Sequence, residues 1–544
     1  MSVSSRAGHL GSEFELVDIP RLISDYYEKD FDRDNRHAHI AFGTSGHRGS
    51  SCDGVFLQKH IQAITQAIVI LRKKWGYTGP VFLGRDTHAL SEPAFKTTLE
   101  VLTANGVDVI IDTDFKVTPT PVISYMIVRH NKESDRLSDG IILTPSHNPP
   151  DDGGFKYNPA YGGPAVKKYT KEIETLSNEI LLNNNAQVKT HSFKEALNSP
   201  YVHYADMQRL YIEALAKVIR LDAIACSDIK IAVNPQGGSA LSYFEAIADR
   251  YKLNIDIINK KIDPTFQFMP YDYNGKIRMD CVSAYTMQPL CDYKGSFDVG
   301  VATDPDADRH GIVTADGKLL LSASYLSIML HYLLNNRELW KGDLLVGKNI
   351  GSSALIDKIA HSAGYEVYET AIGFKWVSEL LYTQKLVYGC EDSAGASFLD
   401  LDGKVMSSDK DGISSSLLAA EIMAICGKSL NDYVSDLNDK FGSFYYSRQD
   451  VVISREQKEA FGRLNASALS LDYLGSSRVV KIFDSLHGQS LGGIKVLLED
   501  GFFAVRPSGT ENLYKIYYES QVSKEHAQSI LDNARKIISK ATGL

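Results

Sequence analysis

The chain of 544 residues contains no apolar run approaching the ~20 residues needed to cross a bilayer, so it is expected neither to span nor to anchor in a membrane. Residues 1–20 lack the continuous apolar centre of a signal peptide, with Arg6, Glu13, Glu15 and Asp18 interspersed, which predicts a cytoplasmic protein. Cysteine is scarce. Cys52, Cys226, Cys281, Cys291, Cys390 and Cys426 show no C-x-x-C spacing, which leaves neither a zinc site nor a disulfide scaffold and predicts reduced, structural thiols. Positive charge is not in excess: 58 Lys and Arg face 67 Asp and Glu, a net charge of -9 that argues against general affinity for nucleic acid or acidic lipid. A phosphate site must then come from a few placed residues. There is no G-x-S-x-G elbow, which disfavours acyl transfer. Low-complexity sequence is almost absent, and only the polar stretch at 182–187 looks like a linker, a loop near the end of a first domain.

What is present is ordinary in bulk and patterned in detail. Hydrophobic residues make up 44% and charged residues 23%, the values of a soluble globular protein, and the length predicts roughly three to four domains of about 150 residues. Three segments repeat one plan of apolar strand, glycine-bearing or charged loop, amphipathic helix and second strand. They begin at Val81, Ile229 and Leu344, with helices ending near Asn105, Tyr251 and Ala363. After about residue 445 the plan changes to strands joined by short turns, at 494–497, 502–505 and 514–518. A last helix has apolar positions Ala527, Ile530, Leu531, Ala534, Ile537 and Ile538 at helical spacing and should pack on that sheet. The predicted fold is α/β: three related α/β domains with mixed sheets, then a smaller α+β C-terminal domain, around a central cleft. The expected limits are 1–203, 204–322, 323–445 and 446–544.

The stretch Thr144-Pro145-Ser146-His147-Asn148-Pro149-Pro150 follows the apolar run 140–143, which reads as an interior strand. Its prolines fix φ and remove backbone donors, so Ser146 is expected to be presented rather than buried, at a strand's carboxyl end where α/β folds place their chemistry. We read it as a nucleophile that carries a phosphoryl group. A plain turn is the competing reading. His147 is expected to be a poor base for Ser146, since neighbouring side chains diverge in an extended segment. Asp304, Asp306 and Asp308 follow the strand 297–301, and alternate positions in an extended segment would converge three hard oxygens, which suits Mg²⁺. A solvated acidic turn is the alternative. An EF-hand would need glycine at Arg309 and glutamate at Ala315, and fails on both. Glu391 and Ser393, after the strand 386–390, can exchange hydrogen bonds with vicinal sugar hydroxyls, against a loop-capping alternative. Arg506, Ser508, Gly509 and Thr510 offer a guanidinium, two hydroxyls and backbone N–H groups to a phosphate dianion. The near phosphate-loop at 342–349 has its strand between the glycines and Asn349 in place of Ser or Thr, which excludes an ATP site there.

The Ser146 stretch and Gly153-Gly154-Phe155-Lys156-Tyr157-Asn158, together with Asp304-Pro305-Asp306-Ala307-Asp308-Arg309, Glu391-Asp392-Ser393-Ala394-Gly395 and Arg506-Pro507-Ser508-Gly509-Thr510, stand in the order found in the α-D-phosphohexomutases. The chain resembles that family over nearly its whole length. The resemblance implies a phosphoserine at Ser146 whose phosphate oxygen completes the metal shell of Asp304, Asp306 and Asp308, with Arg309 reaching towards it. Gly43-Thr44-Ser45-Gly46-His47-Arg48-Gly49 resembles the family's first active-site loop, with Thr44 and Ser45 facing substrate and Arg48 neutralising the phosphoserine. Lys156 resembles the proton-transfer lysine. His147, Gly373, Lys375 and Lys410 resemble substrate-facing positions, although a solvated surface is the strong alternative for the lysines. Asp392 departs from the usual Glu-Glu-Ser pattern, so the sugar role passes only to Glu391 and Ser393. The implied activity interconverts glucose 1-phosphate and glucose 6-phosphate with Mg²⁺ and glucose 1,6-bisphosphate as activator and intermediate; a phosphomannomutase or broader phosphohexomutase is the runner-up. Partners are then small hexose phosphates, with no nucleic acid and no membrane, and a homodimer is the assembly allowed for.

Overall fold

The structure, a computed structural model, describes residues 3–43, 46–340, 342–461, 464–469, 471–507 and 513–542. Its strands form four sheets. The first runs in the order His47–Ser50, Asp152–Asn158, Asp139–Leu143, Val81–Arg85, Val109–Asp112, Val202–Ala205. The last four strands are parallel, and Asp152–Asn158 is antiparallel to both its neighbours. The second sheet has the order His310–Thr314, Val299–Thr303, Ile231–Asn234, Ile255–Ile257, and the third Glu366–Thr370, Leu345–Asn349, Leu386–Glu391, Gly395–Phe398. Each has three parallel strands and one antiparallel strand at an edge. The repeated plan is therefore three mixed sheets, and the helices Ser91–Ala104, Leu241–Tyr251 and Leu355–Ser362 follow the repeat strands at the expected places.

One corner recurs in all three. A parallel strand, Asp139–Leu143, Val299–Thr303 or Leu386–Glu391, turns back into the antiparallel strand Asp152–Asn158, His310–Thr314 or Gly395–Phe398. Each corner holds one non-glycine residue in the left-handed region, Ser146 (φ 60), Ala307 (φ 57) and Ala394 (φ 61). Side chains rarely adopt that conformation without neighbours that hold it. The Ser146, aspartate and Glu391 motifs thus occupy the same corner of three copies of one unit.

The fourth sheet is antiparallel, in the order Tyr445–Val452, Leu513–Ser520, Gly501–Pro507, Gln489–Leu498, Ser477–Leu486, Tyr473–Leu474. The helix Lys524–Thr542 buries Ala527, Ile530, Leu531, Ala534 and Ile538, with Ile530, Leu531, Ala534 and Ile538 packed on Ile494, Val496, Phe503 and Val505. The second and third sheets share one core, which also takes in Val122 and Ile127 from the helix Thr120–Glu133 of the first domain. At its centre is the apolar helix Gly412–Cys426, capped by Asp411, whose carboxylate accepts from Ile413 N (3.0 Å) and Ser414 N (2.9 Å). Among the described residues no single helix is long and apolar enough to cross a membrane; this helix with Leu430–Phe441 has the length only as a pair bent by 76°.

A buried ion pair locks this shared core. Glu421, on the helix Gly412–Cys426, accepts from Arg337 Nη1 (2.8 Å), Tyr332 Oη (2.8 Å) and Arg220 N (2.9 Å), and Arg337 Nη2 donates to Val218 O (3.1 Å). Both ion-pair side chains are fully buried. Removing one partner strands a charge in low dielectric at a cost of about 3–5 kcal/mol, while replacing both by apolar groups is often neutral. Arg337→Met is expected to lower the thermal unfolding midpoint by several degrees, and Arg337→Met with Glu421→Met to recover most of it. Equal midpoints for the single variant and the wild type would show that the pair does not hold the two sheets together.

Candidate active site

Ser146 is buried, with 1% of its surface exposed, where the sequence predicted a presented hydroxyl. The cause lies in the second domain: its acidic turn comes over the corner, Ser146 Oγ donates to Asp304 Oδ2 (2.6 Å), and Met279 N donates to His147 O (3.2 Å). The prolines shape the corner but do not expose it. Divergence of neighbouring side chains also fails, because the left-handed backbone of Ser146 turns the chain and leaves His147 Nδ1 3.3 Å from Ser146 Oγ. Burial, then the charges of Arg309, Arg278 and Arg48, hold His147 well below the ordinary histidine pKa, so its ring is neutral.

The three aspartates converge for a different reason from the one expected. They lie in a turn between Val299–Thr303 and His310–Thr314 rather than in an extended segment, with Ala307 reversing the chain. All three are buried, with ligand oxygens within 4.8 Å of one another. Thr120, at the start of the helix Thr120–Glu133 in the first domain, donates its hydroxyl to Asp306 Oδ2 (2.6 Å) and its N–H to Asp306 O (2.9 Å). Lys156 pairs with Asp306 and, at 2.9 Å, with Asp308; Lys410 lies 3.2 Å from Asp308 and 3.7 Å from Glu391. Burial and then the like charges of Asp306 and Asp308 push Asp304 well above the usual carboxylate range. Burial also opposes the charge of Asp308, but Lys156, Lys410 and Arg309 overrule it and hold that carboxyl low. Asp306 Oδ1 and Asp308 Oδ1 are buried with no hydrogen bond among the described residues. Orphaned carboxylate oxygens in an all-oxygen donor set, with one acid destabilised by its neighbours, fit a hard cation. The acidic triad can hold a metal ion.

Arg48, on the strand His47–Ser50, donates from Nη1 to Asn148 Oδ1 (3.1 Å); burial depresses its pKa, with Asp306 and Asp308 acting the other way. Arg309 lies 3.5 Å from Asp280 and 3.8 Å from Asp308. Glu391 ends its strand buried, and burial raises its pKa above the usual value; Ser393 is half-buried in the corner beside it. Asp392 accepts from Asn349 Nδ2 (2.9 Å) and lies 3.9 Å from Arg448 of the fourth sheet. The lysines are not solvated: Lys156 and Lys410 are buried and Lys375 half-buried. Gly373 (φ 124) precedes the helix Lys375–Tyr382. Burial and then nearby Arg506 lower the Lys375 pKa, with Glu391 opposing. Arg506 sits near the end of Gly501–Pro507, its Nε buried without a hydrogen-bond partner among the described residues. Thr44, Ser45, Ser508, Gly509 and Thr510 lie outside the described residues.

Several polar residues at the site carried no sequence signal. Thr120 reaches the acidic turn from a helix start, and Asp280 pairs with Arg309 from a segment without periodic structure. Asp409, its pKa raised to about 6 chiefly by burial, accepts from Asn158 Nδ2 (3.0 Å); only its place beside Lys410 marked it.

A serine hydroxyl, a cation cradle and buried lysines and arginines gathered round them are the equipment of an enzyme that carries phosphoryl groups, here set on three copies of one α/β unit and a fourth domain. The chain belongs to the phosphoglucomutase/phosphomannomutase family of α-D-phosphohexomutases: α/β/α domain I matches over residues 39–184, domain II over 209–317, domain III over 322–441 and the C-terminal domain over 474–537. It is 44% identical over 541 residues to a phosphoglucomutase of Komagataeibacter xylinus, covering 99% of this chain and 98% of that one. A phosphoglucomutase/phosphomannomutase of Thermococcus kodakarensis is 26% identical over 92% of this chain and 98% of its own. The open form of pp63/parafusin, a phosphoglucomutase from Paramecium, superposes with a TM-score of 0.71 at 21% identity over 93% of this chain and 97% of that one. A phosphoglucomutase/phosphomannomutase family protein from Burkholderia thailandensis gives 0.70 at 19% identity over 92% and 97%. These two likenesses speak for the fold.

Proposed function

We propose that the chain is a phosphoglucomutase that interconverts glucose 1-phosphate and glucose 6-phosphate through phosphorylated Ser146 and glucose 1,6-bisphosphate. The observation that carries this reading is Ser146 Oγ seated 2.6 Å from Asp304 within the acidic triad, with Lys156 paired to its other two members. A sugar hydroxyl forms a bond to the phosphorus of phosphoserine, the bond to Ser146 Oγ breaks, and the hydroxyl proton is balanced by one taken up at the departing serine oxygen. Lys156 is the proton-transfer group. Burial works against its charge, but Asp306 and Asp308 prevail and raise its pKa. Arg48 and Arg309 offset the charge on the phosphoryl oxygens. Mg²⁺, held by Asp304, Asp306, Asp308 and a phosphate oxygen on Ser146, would supply further positive charge to that group. Glu391 and Ser393 hold the sugar hydroxyls, with His147, Lys375 and Lys410 around the ring. The intermediate then reverses, and its other phosphate is returned to Ser146. Burial of Ser146 supports a site that keeps water from the phosphoserine while this happens.

Arg506, with Ser508, Gly509 and Thr510 as companions, grips the phosphate that is not reacting, while Thr44, Ser45 and Gly373 face the substrate. Because the intermediate turns over, one clamp serves the 6-phosphate in one half-reaction and the 1-phosphate in the other. Losing a charge-assisted hydrogen bond costs roughly 1.5–3 kcal/mol, or about 10- to 100-fold in kcat/KM. Arg506→Ala is expected to impair both starting substrates by comparable factors while Ser146 still accepts phosphate. Impairment from glucose 1-phosphate alone, at saturating bisphosphate, would rule out a shared clamp. A coupled assay with glucose and mannose phosphates, monitored for free phosphate, separates this activity from a phosphomannomutase and from a phosphatase.

A further inference from the structure

Under the Ser146 corner lies a buried polar cluster that none of the roles above uses. Asp86 follows the strand Val81–Arg85, and its N–H donates to Leu143 O (3.1 Å), which places it beside the start of the corner. Its Oδ1 accepts from His88 N (3.0 Å) and Ser91 Oγ (2.6 Å). Its Oδ2 accepts from Thr144 Oγ1 (2.7 Å) and lies 2.8 Å from His88 Nδ1. The Thr144 oxygen, its proton directed to Asp86, accepts from Ser146 N (2.8 Å). The other ring nitrogen, His88 Nε2, is 3.1 Å from Asn148 O. A carboxylate and a carbonyl are both acceptors, so each ring nitrogen must carry a hydrogen, and the ring is an imidazolium.

We propose that His88, buried and doubly protonated, is a positioning residue for phosphoryl transfer: with Asp86 it ties both ends of the 144–148 corner and thereby sets the left-handed backbone that aims Ser146 Oγ at Asp304. One end is reached through Asp86 and Thr144 and the other directly at Asn148. Asn148 is itself shared, its side chain accepting from Arg48 Nη1 (3.1 Å) and donating to Asp152 Oδ2 (2.9 Å), so the clamp also sets the corner against Arg48. The ionisable groups facing the ring are Asp86 from its own segment and Asp152 from the strand Asp152–Asn158; on another side the ring of Phe266 packs with centroids 4.9 Å apart and brings no charge. Burial opposes the imidazolium, but Asp86 and Asp152 prevail and the pKa lies above the ordinary value, in keeping with the geometry.

This inference rests on Ser146 as the phosphoryl carrier, and its test has one arm that does not. In ring-nitrogen-labelled protein without substrate, at about pH 8 and so above the ordinary histidine range, one histidine should show protons on both ring nitrogens, and that signal should vanish in His88→Gln. A neutral His88 ring overturns the proposal whatever the enzyme does. The second arm compares His88→Ala, His88→Gln and His88→Asn for kcat, KM and the single-turnover rate at which glucose 1,6-bisphosphate phosphorylates Ser146. Misplacing a reacting group by about 1 Å costs on the order of 100-fold, so His88→Ala should lose about 10- to 100-fold in kcat and in the phosphorylation rate with KM little changed. Gln, which can still reach Asn148 O, and Asn, which can still reach Asp86, should each recover part of the loss. An Ala variant with wild-type kcat, or a loss confined to KM, overturns the proposal; should Ala fail to fold, the Gln variant and the spectrum decide the matter alone.

Discussion

Ser146→Ala abolishes turnover while the protein remains folded: that is the expected result, on the order of a 10⁶-fold loss, the scale seen when the nucleophile of a covalent enzyme is removed. Among the described residues the neighbouring alcohols are already committed, Thr144 to Asp86 and Thr120 to Asp306, each by a hydrogen bond of 2.6–2.7 Å. The deletion removes one donor to Asp304, an acid that burial and its neighbours already push towards protonation, so stability should change little. Intact mass supplies the second reading: wild type incubated with glucose 1,6-bisphosphate gains one phosphate, and Ser146→Ala gains none. Residual turnover within about a hundredfold of wild type, or a phosphate retained elsewhere on the variant, would remove Ser146 from the mechanism.

Asp306→Asn should be the next most damaging change. Asp306 is fixed from two directions, by Thr120 and by Lys156, and one of its oxygens has no partner among the described residues. The substitution keeps the shape, removes a charge from the cradle and weakens the hold on Lys156. Loss of an outer partner of a metal ligand typically costs 10–100-fold, and loss of a ligand should exceed that, so turnover at fixed Mg²⁺ should fall by more than about 100-fold. Mg²⁺ should raise the melting temperature of the wild type and do so less for the variant, since a ligand that binds only the folded state stabilises it. Wild type that keeps its full rate after exhaustive chelation would discard the metal assignment.

Much of the fold was legible because local pattern and final structure agree. The strands at Val81, Ile231 and Leu345 are short apolar runs, and the helix Lys524–Thr542 shows its buried face at helical spacing. Three strands of the fourth sheet carry no such pattern. Tyr445–Val452 is half-buried along most of its length and pairs with Leu513–Ser520, far along the chain, and Ser477–Leu486 is mixed in exposure. Strands defined by such pairing leave little trace in local sequence. At the site, residue types pointed to the chemistry, yet geometry did not follow from them. The aspartates meet through a turn at Ala307, and Ser146 is covered by a domain that begins well after it in sequence. Asp86 and His88 could not be found at all by inspection, because their importance lies in what Thr144 and Asn148 bring to them.

The strand that returns from the Ser146 corner couples chemistry to packing through its parity. Along Asp152–Asn158, Phe155 and Tyr157 enter the hydrophobic core, while Lys156 and Asn158 face Asp306, Asp308 and Asp409. Successive side chains of a strand point to opposite faces, so a shift of one residue exchanges the two sets. Inserting a single residue between Pro150 and Asp152 would therefore drive two aromatic rings against the carboxylates and a lysine into the core unless a bulge absorbed it. The length of this corner is thus as tightly constrained as its composition: substitutions within it can be graded in effect, whereas insertions and deletions should behave as all-or-none lesions.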